Sequence, residues 1–236
     1  MGSNEHISKQ FDVELEAVRS LVLKMGGLVE SQIHRGLEGL QSCDMEVIDR
    51  TISDDHRVNG MEVEIDELCT QIIARRQPAA SDLRLLMTVI KTITDLERIG
   101  DEAEKIARMA KLICASDRLS HPRFNEIKRI GEVALGMLRD SLDAFARLDT
   151  ATAAKVVRQD EIVDDQFKNI LRQLITFMME DPRTISTSLE ILFVAKAIER
   201  IGDHAKNMAE YVVYLVKGKD VRHVAIEEIE KESLGD

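Results

Sequence analysis

Tryptophan is absent from this chain, and its 236 residues hold only three prolines and three cysteines. Aromatic residues make up 3% of the whole, against 44% apolar and 32% charged, so a core must be filled by aliphatic side chains. That is the profile of long helices with salt-laced outer faces. Cys43, Cys69 and Cys114 are odd in number, widely spaced and without a CxxC pair. They are expected to serve as small apolar fillers in a reducing cytoplasm. A basic footprint is missing too: the net charge is −11, which argues against nucleic acid as a partner. No apolar run approaches bilayer length, the longest lying near Ile191 to Ala195, and no secretory signal opens the chain. Gly-rich phosphate loops, a GxSxG elbow and Cys/His metal spacings are likewise absent, so catalysis has no visible machinery.

What the chain does have is a repeat. Glu97-Arg98-Ile99-Gly100-Asp101 recurs letter for letter as Glu199-Arg200-Ile201-Gly202-Asp203, at an offset of 199 − 97 = 102. The flanks repeat as well. Val89, Leu96, Ile99, Ala103, Ile106 and Ile113 step at helical spacing, and the same offset gives Ile191, Ile198, Ile201, Ala205, Met208 and Leu215. One apolar stripe of a long helix has been written twice.

In order, a first helix runs from about Ile7 to Gln41, with Gly26-Gly27 as a point of bending or close approach. Asp44 is a plausible N-cap for a second helix continuing to about Arg76. Gln77-Pro78 stops it, and Ser81-Asp82 can cap a third helix reaching about Ala115. After Ser116-Asp117 and Ser120-His121-Pro122 the pattern restarts. Gly131 falls opposite Gly26, Leu142 opposite Leu37, Asp149 opposite Asp44 and Asp160 opposite Asp55, at an offset of 160 − 55 = 105. The expectation is all-α: six long helices as two tandem, pseudo-symmetric three-helix bundles, residues 1–116 and 117–220, with a loose charged tail at 221–236. One continuous six-helix bundle would satisfy the same pattern.

Glu97 and Asp101 stand one turn apart beside the buried seam, as do Glu199 and Asp203. Like charges at this spacing cost a helix a few tenths of a kcal/mol, so a compensating cation is called for, either a Lys or Arg from a neighbouring helix or a metal ion. Asp55 and Asn59 on the second helix, and Asp160 and Asp164 on the fifth, lie about as far from their shared loops as Asp101 and Asp203 do. Each set should therefore face its partner at similar height, offering oxygens to a hard cation. Spacing alone does not choose between a shared metal ion and a solvated acidic face. His204 has Glu102 as its counterpart and is expected at the surface. A ferritin-like oxidase would need Glu-x-x-His on two helices, which the chain lacks. A purely structural helical bundle would have no need of glycine at both Gly100 and Gly202.

The tandem three-helix repeats, the duplicated Glu-Arg-Ile-Gly-Asp, the connection Arg76-Gln77-Pro78-Ala79-Ala80-Ser81-Asp82-Leu83-Arg84 and Met178-Met179-Glu180-Asp181 together resemble the PhoU family, from His6 to His223. The resemblance implies a cytoplasmic, often dimeric adaptor without enzymatic activity, a negative regulator of the phosphate regulon. Its implied partners are the ATPase of a phosphate ABC transporter, through which it would meet the membrane, and a phosphate-sensing histidine kinase. It also implies multinuclear metal clusters, iron or zinc among them, on acidic-x-x-x-Asp motifs, while the oxygen donors by themselves would equally suit magnesium or manganese. Carried over, the motifs fall on Glu97 and Asp101, Glu199 and Asp203, and Asp160 and Asp164. The fourth motif, Asp55 to Asn59, departs by ending in an amide, which implies a first-half site that is weaker or holds fewer ions.

Overall fold

Aliphatic stripes at helical spacing become helices in the computed structural model, which describes residues 9–115, 124–222 and 224–234. The first half comprises α1 (Lys9–Ser42), α2 (Met45–Ser53), α3 (Asp55–Arg76) and α4 (Ala80–Ala115). The second comprises α5 (Phe124–Arg147), α6 (Thr150–Glu180) and α7 (Ile185–Lys217), followed by a short α8 (Ile226–Leu234). No strand occurs among the described residues. The halves begin alike: Asp44 accepts the backbone N–H of Glu46 at 2.9 Å, and Asp149 accepts that of Ala151 at 2.9 Å. Each carboxylate satisfies a donor that the first turn leaves open. The interrupted stretch between the halves, with Ser116-Asp117 and Ser120-His121-Pro122, lies outside the described residues.

Two helical bundles stand back to back along α4 and α7, the most extensive packing in the molecule. One contiguous cluster of buried aliphatic side chains runs through both. The outer helices meet as well, by a reciprocal device. A Cβ on Gly26 would stand 2.6 Å from the methyls of Leu142, and one on Gly131 would stand 2.7 Å from a methyl of Leu37. Each glycine of one half receives the leucine of the other, so α1 runs through Gly26-Gly27 unbroken. Polar groups cross the α4–α7 seam. Asp95 accepts from the His204 ring at 2.6 Å and from the Asn207 amide at 3.3 Å, and Glu102 pairs with Arg200 at 2.6 Å. His204 is therefore a seam residue, half-way between the bundles, where surface exposure was expected.

Several other expectations are corrected. The second helix does not run unbroken to Arg76. It divides at Asp54, whose carboxylate is drawn to Arg35 of α1 at 2.9 Å. Gln159 stands at the equivalent point of α6, which continues. Helix α4 begins at Ala80, placing Ser81-Asp82 inside its first turn. The tail is not loose: Val221 and Ile229 are buried, α8 lies against α6, and Arg158 pairs with Glu230.

Nor are the cysteines all fillers. Cys43 follows the end of α1 and Cys114 sits in the last turn of α4, and the packing of those helices brings the two into a disulfide across 71 residues of sequence. Cys69 alone is free, and buried. Closing a loop of that length restricts the unfolded chain. Cys43→Ser combined with Cys114→Ser is expected to lower stability by about 2 kcal/mol in denaturant unfolding without reductant. With reductant the difference should vanish.

Candidate functional site

A glycine inside a helix costs about 1 kcal/mol relative to alanine, and this chain carries one at the same place in both central helices. Gly100 of α4 is a notch for α3. A Cβ there would stand 3.3 Å from a Val58 methyl and 3.4 Å from both Asp55 Oδ1 and Gln32 Oε1. Gly202 of α7 does the same for α6, with Val163 at 3.4 Å and Asp160 Oδ1 at 3.5 Å. Both notches admit a carboxylate to the face that bears the acid pair.

In the first half, Asp55 opens α3 and lies within electrostatic range of Asp101 and Glu104. Asn59, one turn on, donates its amide to Asp55 Oδ2 at 3.1 Å. Burial raises the Asp55 pKa, and the charges of Glu104 and Asp101 add to it. Glu97 is raised by burial and by the charge of Asp101, against the pull of Arg98. Asp101 is raised chiefly by burial, with Arg98 again opposing and Glu104 reinforcing. The net effect is one way: burial and the neighbouring carboxylates raise all three acids, outweighing Arg98 at Glu97 and Asp101.

The second half repeats the crowding with different company. Asp203 is pushed up to about 6, first by burial and then by the charges of Glu199, Asp160 and Asp164. Lys206 of α7 reaches Asp160 Oδ2 at 2.7 Å, and Lys196 reaches Glu199 at 2.5 Å. In each half one oxygen beside the notch, Asp55 Oδ1 or Asp160 Oδ1, is buried without a hydrogen-bond partner. Such an orphan is costly unless something positive meets it.

The eight carboxylate and amide residues read from the sequence thus gather at two places, one per half. Among the described residues no three His, Cys, Asp or Glu groups already stand as a cation cage; they share a face. Lys105, which could have discharged Asp101, turns instead to Glu102 at 3.2 Å. Sequence reasoning missed three participants. Gln32 sits on the apolar stripe of α1, and laying the two repeats over each other would have exposed Lys196 and Lys206 as substitutions for Thr94 and Glu104.

Residues 22–110 and 127–212 both match the PhoU domain, once in each half. The chain belongs to the PhoU family. It is 48% identical over 98% of its length to the phosphate-specific transport system accessory protein PhoU homolog of Pseudomonas putida, covering 90% of that protein. To the phosphate-specific transport system accessory protein PhoU of Escherichia coli (strain K12) it is 47% identical, over 97% of this chain and 94% of the other. The crystal structure of PhoU from Pseudomonas aeruginosa superposes with a TM-score of 0.85 at 48% identity, over 89% of this chain and all (100%) of that one. The PhoU of Streptococcus pneumoniae superposes at 0.82 with 29% identity, over 89% of this chain and 99% of that one. Two PhoU domains fused in one chain account for the duplicated motif and for the pseudo-symmetric halves.

Proposed function

We propose that this PhoU-family chain is an accessory regulator of a phosphate-specific transport system. It acts as a non-enzymatic, metal-binding adaptor between the ATPase of the phosphate ABC transporter and the phosphate-sensing histidine kinase, and represses the phosphate regulon. The observation that carries this reading is the likeness, along nearly the whole chain, to proteins named for that transport system. No helix among the described residues is long and apolar enough to cross a membrane, which suits recruitment from the cytoplasm by a partner. A homodimer is part of the same proposal.

The metal component is supported by the donor set. Asp55, Asn59, Glu97 and Asp101 would hold ions in the first half, and Asp160, Asp164, Glu199 and Asp203 in the second. All eight offer hard oxygens suited to magnesium, manganese, iron or zinc. The two orphaned carboxylate oxygens are places where a cation would be welcome. A bound ion would offset the like charges beside each notch and offer open positions to a partner's acidic or phosphorylated groups. The chain's own part is to hold the carboxylates on helices fixed by the central seam.

Replacing Glu97, Asp101, Glu199 and Asp203 together by alanine is expected to abolish saturable metal binding and to derepress a phosphate-starvation reporter in phosphate-rich medium. Helix content should be unchanged, because relieving each like-charge pair returns a few tenths of a kcal/mol. Elemental analysis, circular dichroism and the reporter read the three parts separately. Unaltered metal content would defeat the metal component, and unaltered repression the adaptor.

A further inference from the structure

The repeats differ where it matters for a cation. At offsets of 102 and 105, Thr94 is replaced by Lys196, Glu104 by Lys206, Glu62 by Phe167 and Gln32 by Met137. In the second half Lys206 donates to Asp160 at 2.7 Å. Lys196 donates to Glu199 at 2.5 Å and lies 5.4 Å from the Phe167 ring centroid. Two ammonium groups, one steadied on an aromatic face, already sit among these carboxylates.

The first half has the opposite arrangement. Glu104 occupies the place of Lys206, and its charge acts on Asp55 together with that of Asp101. Glu62, in the place of Phe167, adds its charge to Glu97. The cations that reach this face are arginines: Arg98, at 3.5 Å from Glu97 and 3.7 Å from Asp101 on a side chain 55% exposed, Arg108, paired with Glu104 on a side chain 58% exposed, and Arg200, whose charge acts on Asp101. A loose pair of that kind in water contributes little. An independent observation points the same way. Gln32 is fully buried, and neither Oε1 nor Nε2 has a hydrogen-bond partner. Its Oε1 lies as close to the Gly100 notch as Asp55 Oδ1 does, 3.4 Å in each case. An amide oxygen kept dry and unpaired beside a carboxylate is a ligand set for a hard cation. Met137 offers nothing of the sort.

Resting on the metal reading above, the geometry points to a division between the halves. Asp55, Asn59, Glu97, Asp101 and Gln32 form the tighter divalent-cation site, whereas two of the four carboxylates of the second half already hold an ammonium group, Asp160 from Lys206 and Glu199 from Lys196. This reverses the ranking that the Asn59 departure suggested. Asn59 removes one charge from the first site, but Glu62 and Glu104, the latter paired with Arg108, stand where the second half has an aromatic ring and an ammonium.

Manganese alone is the probe, added to the metal-stripped full-length protein, with free Mn(II) counted by its electron paramagnetic resonance signal. Glu97→Ala with Asp101→Ala is expected to weaken the tightest binding by about tenfold or more. Glu199→Ala with Asp203→Ala should leave it nearly unchanged. Exchanging the key charge moves the site: Glu104→Lys weakens first-half binding, and Lys206→Glu creates a second tight site. Circular dichroism confirms that each variant is folded. Gln32→Met should weaken Mn(II) binding without altering the count of sites. Equal losses from both acid pairs, or a loss from the second pair only, overturn the division while leaving metal binding itself intact. Absence of saturable Mn(II) binding by the unmodified protein removes both.

Discussion

Asp95→Ala is expected to lower the unfolding free energy by about 3–5 kcal/mol, more than any single change on the outer faces of the helices. Asp95 is buried in the seam where α4 meets α7, and its carboxylate collects three donors from the opposite half. The His204 ring lies at 2.6 Å and the Asn207 amide at 3.3 Å, and the Tyr211 hydroxyl bonds to it as well. Truncation would leave all three donors without this acceptor, in a seam only partly open to water. The penalty comes less from the lost attraction than from those unpaired groups, which must be desolvated in any case.

Asp95→Asn separates the two contributions, because its amide oxygen can still accept while its charge is gone. An intermediate loss is expected, read as a smaller shift of the urea midpoint at unchanged slope. Calorimetry of Asp95→Ala should also show the transition broadening toward two steps, since the seam ties the halves into one cooperative unit. A change of less than about 1 kcal/mol in Asp95→Ala, a typical surface or single neutral hydrogen-bond value, would mean that apolar packing along α4 and α7 alone holds the halves together.

Most of the fold is legible in the sequence because helical periodicity is a local property. The aliphatic stripes mark which face of each helix is buried, and Asp44 and Asp149 mark where two of them start. What the stripes do not carry is the relation between distant elements. Gly26 and Leu142 are visibly the counterparts of Gly131 and Leu37, yet nothing in a linear pattern says that each glycine receives the other half's leucine. The same holds for Cys43 and Cys114, whose pairing exists only because α1 and α4 lie side by side. The division at Asp54 depends on Arg35 from another helix. Local propensity sees neither partner.

The candidate site follows the same rule with one addition. The acid pairs and the notch glycines could be found because they were duplicated, and duplication makes five residues conspicuous. The differences between the copies were less conspicuous and more informative. Lys206 reads as an ordinary surface lysine until α6 brings Asp160 to it at 2.7 Å. Gln32 reads as a polar interruption of an apolar stripe until α3 and α4 close over it. Identity between repeats located the two places, and departure from identity is what distinguishes them.

Glu210 carries the second large effect, a dependence of stability on pH. It is buried on α7 beneath the segment that follows it, with Lys206 and Arg222 drawing its pKa down and Asp160 and Asp220 pushing it up. Burial outweighs these charges and lifts it from 4.5 to about 7. The folded state therefore holds a proton through a range in which the unfolded chain has released it. Its contribution is fully present below 4.5 and is lost as pH rises through about 7. A difference of one in pKa is worth about 1.4 kcal/mol, so between acid and alkaline limits the loss is on the order of 3–4 kcal/mol. Asp203, held at about 6 by burial and its acidic neighbours, acts in the same sense. The metal-free protein should accordingly gain melting temperature as the buffer is taken from pH 8 to pH 5. Glu210→Gln, neutral throughout, should be the more stable form at pH 8 and should show a flatter profile, leaving only the part that Asp203 and its neighbours supply. A profile that keeps its full slope in Glu210→Gln would place the proton uptake elsewhere, and the acid clusters beside Gly100 and Gly202 would then be the groups to titrate.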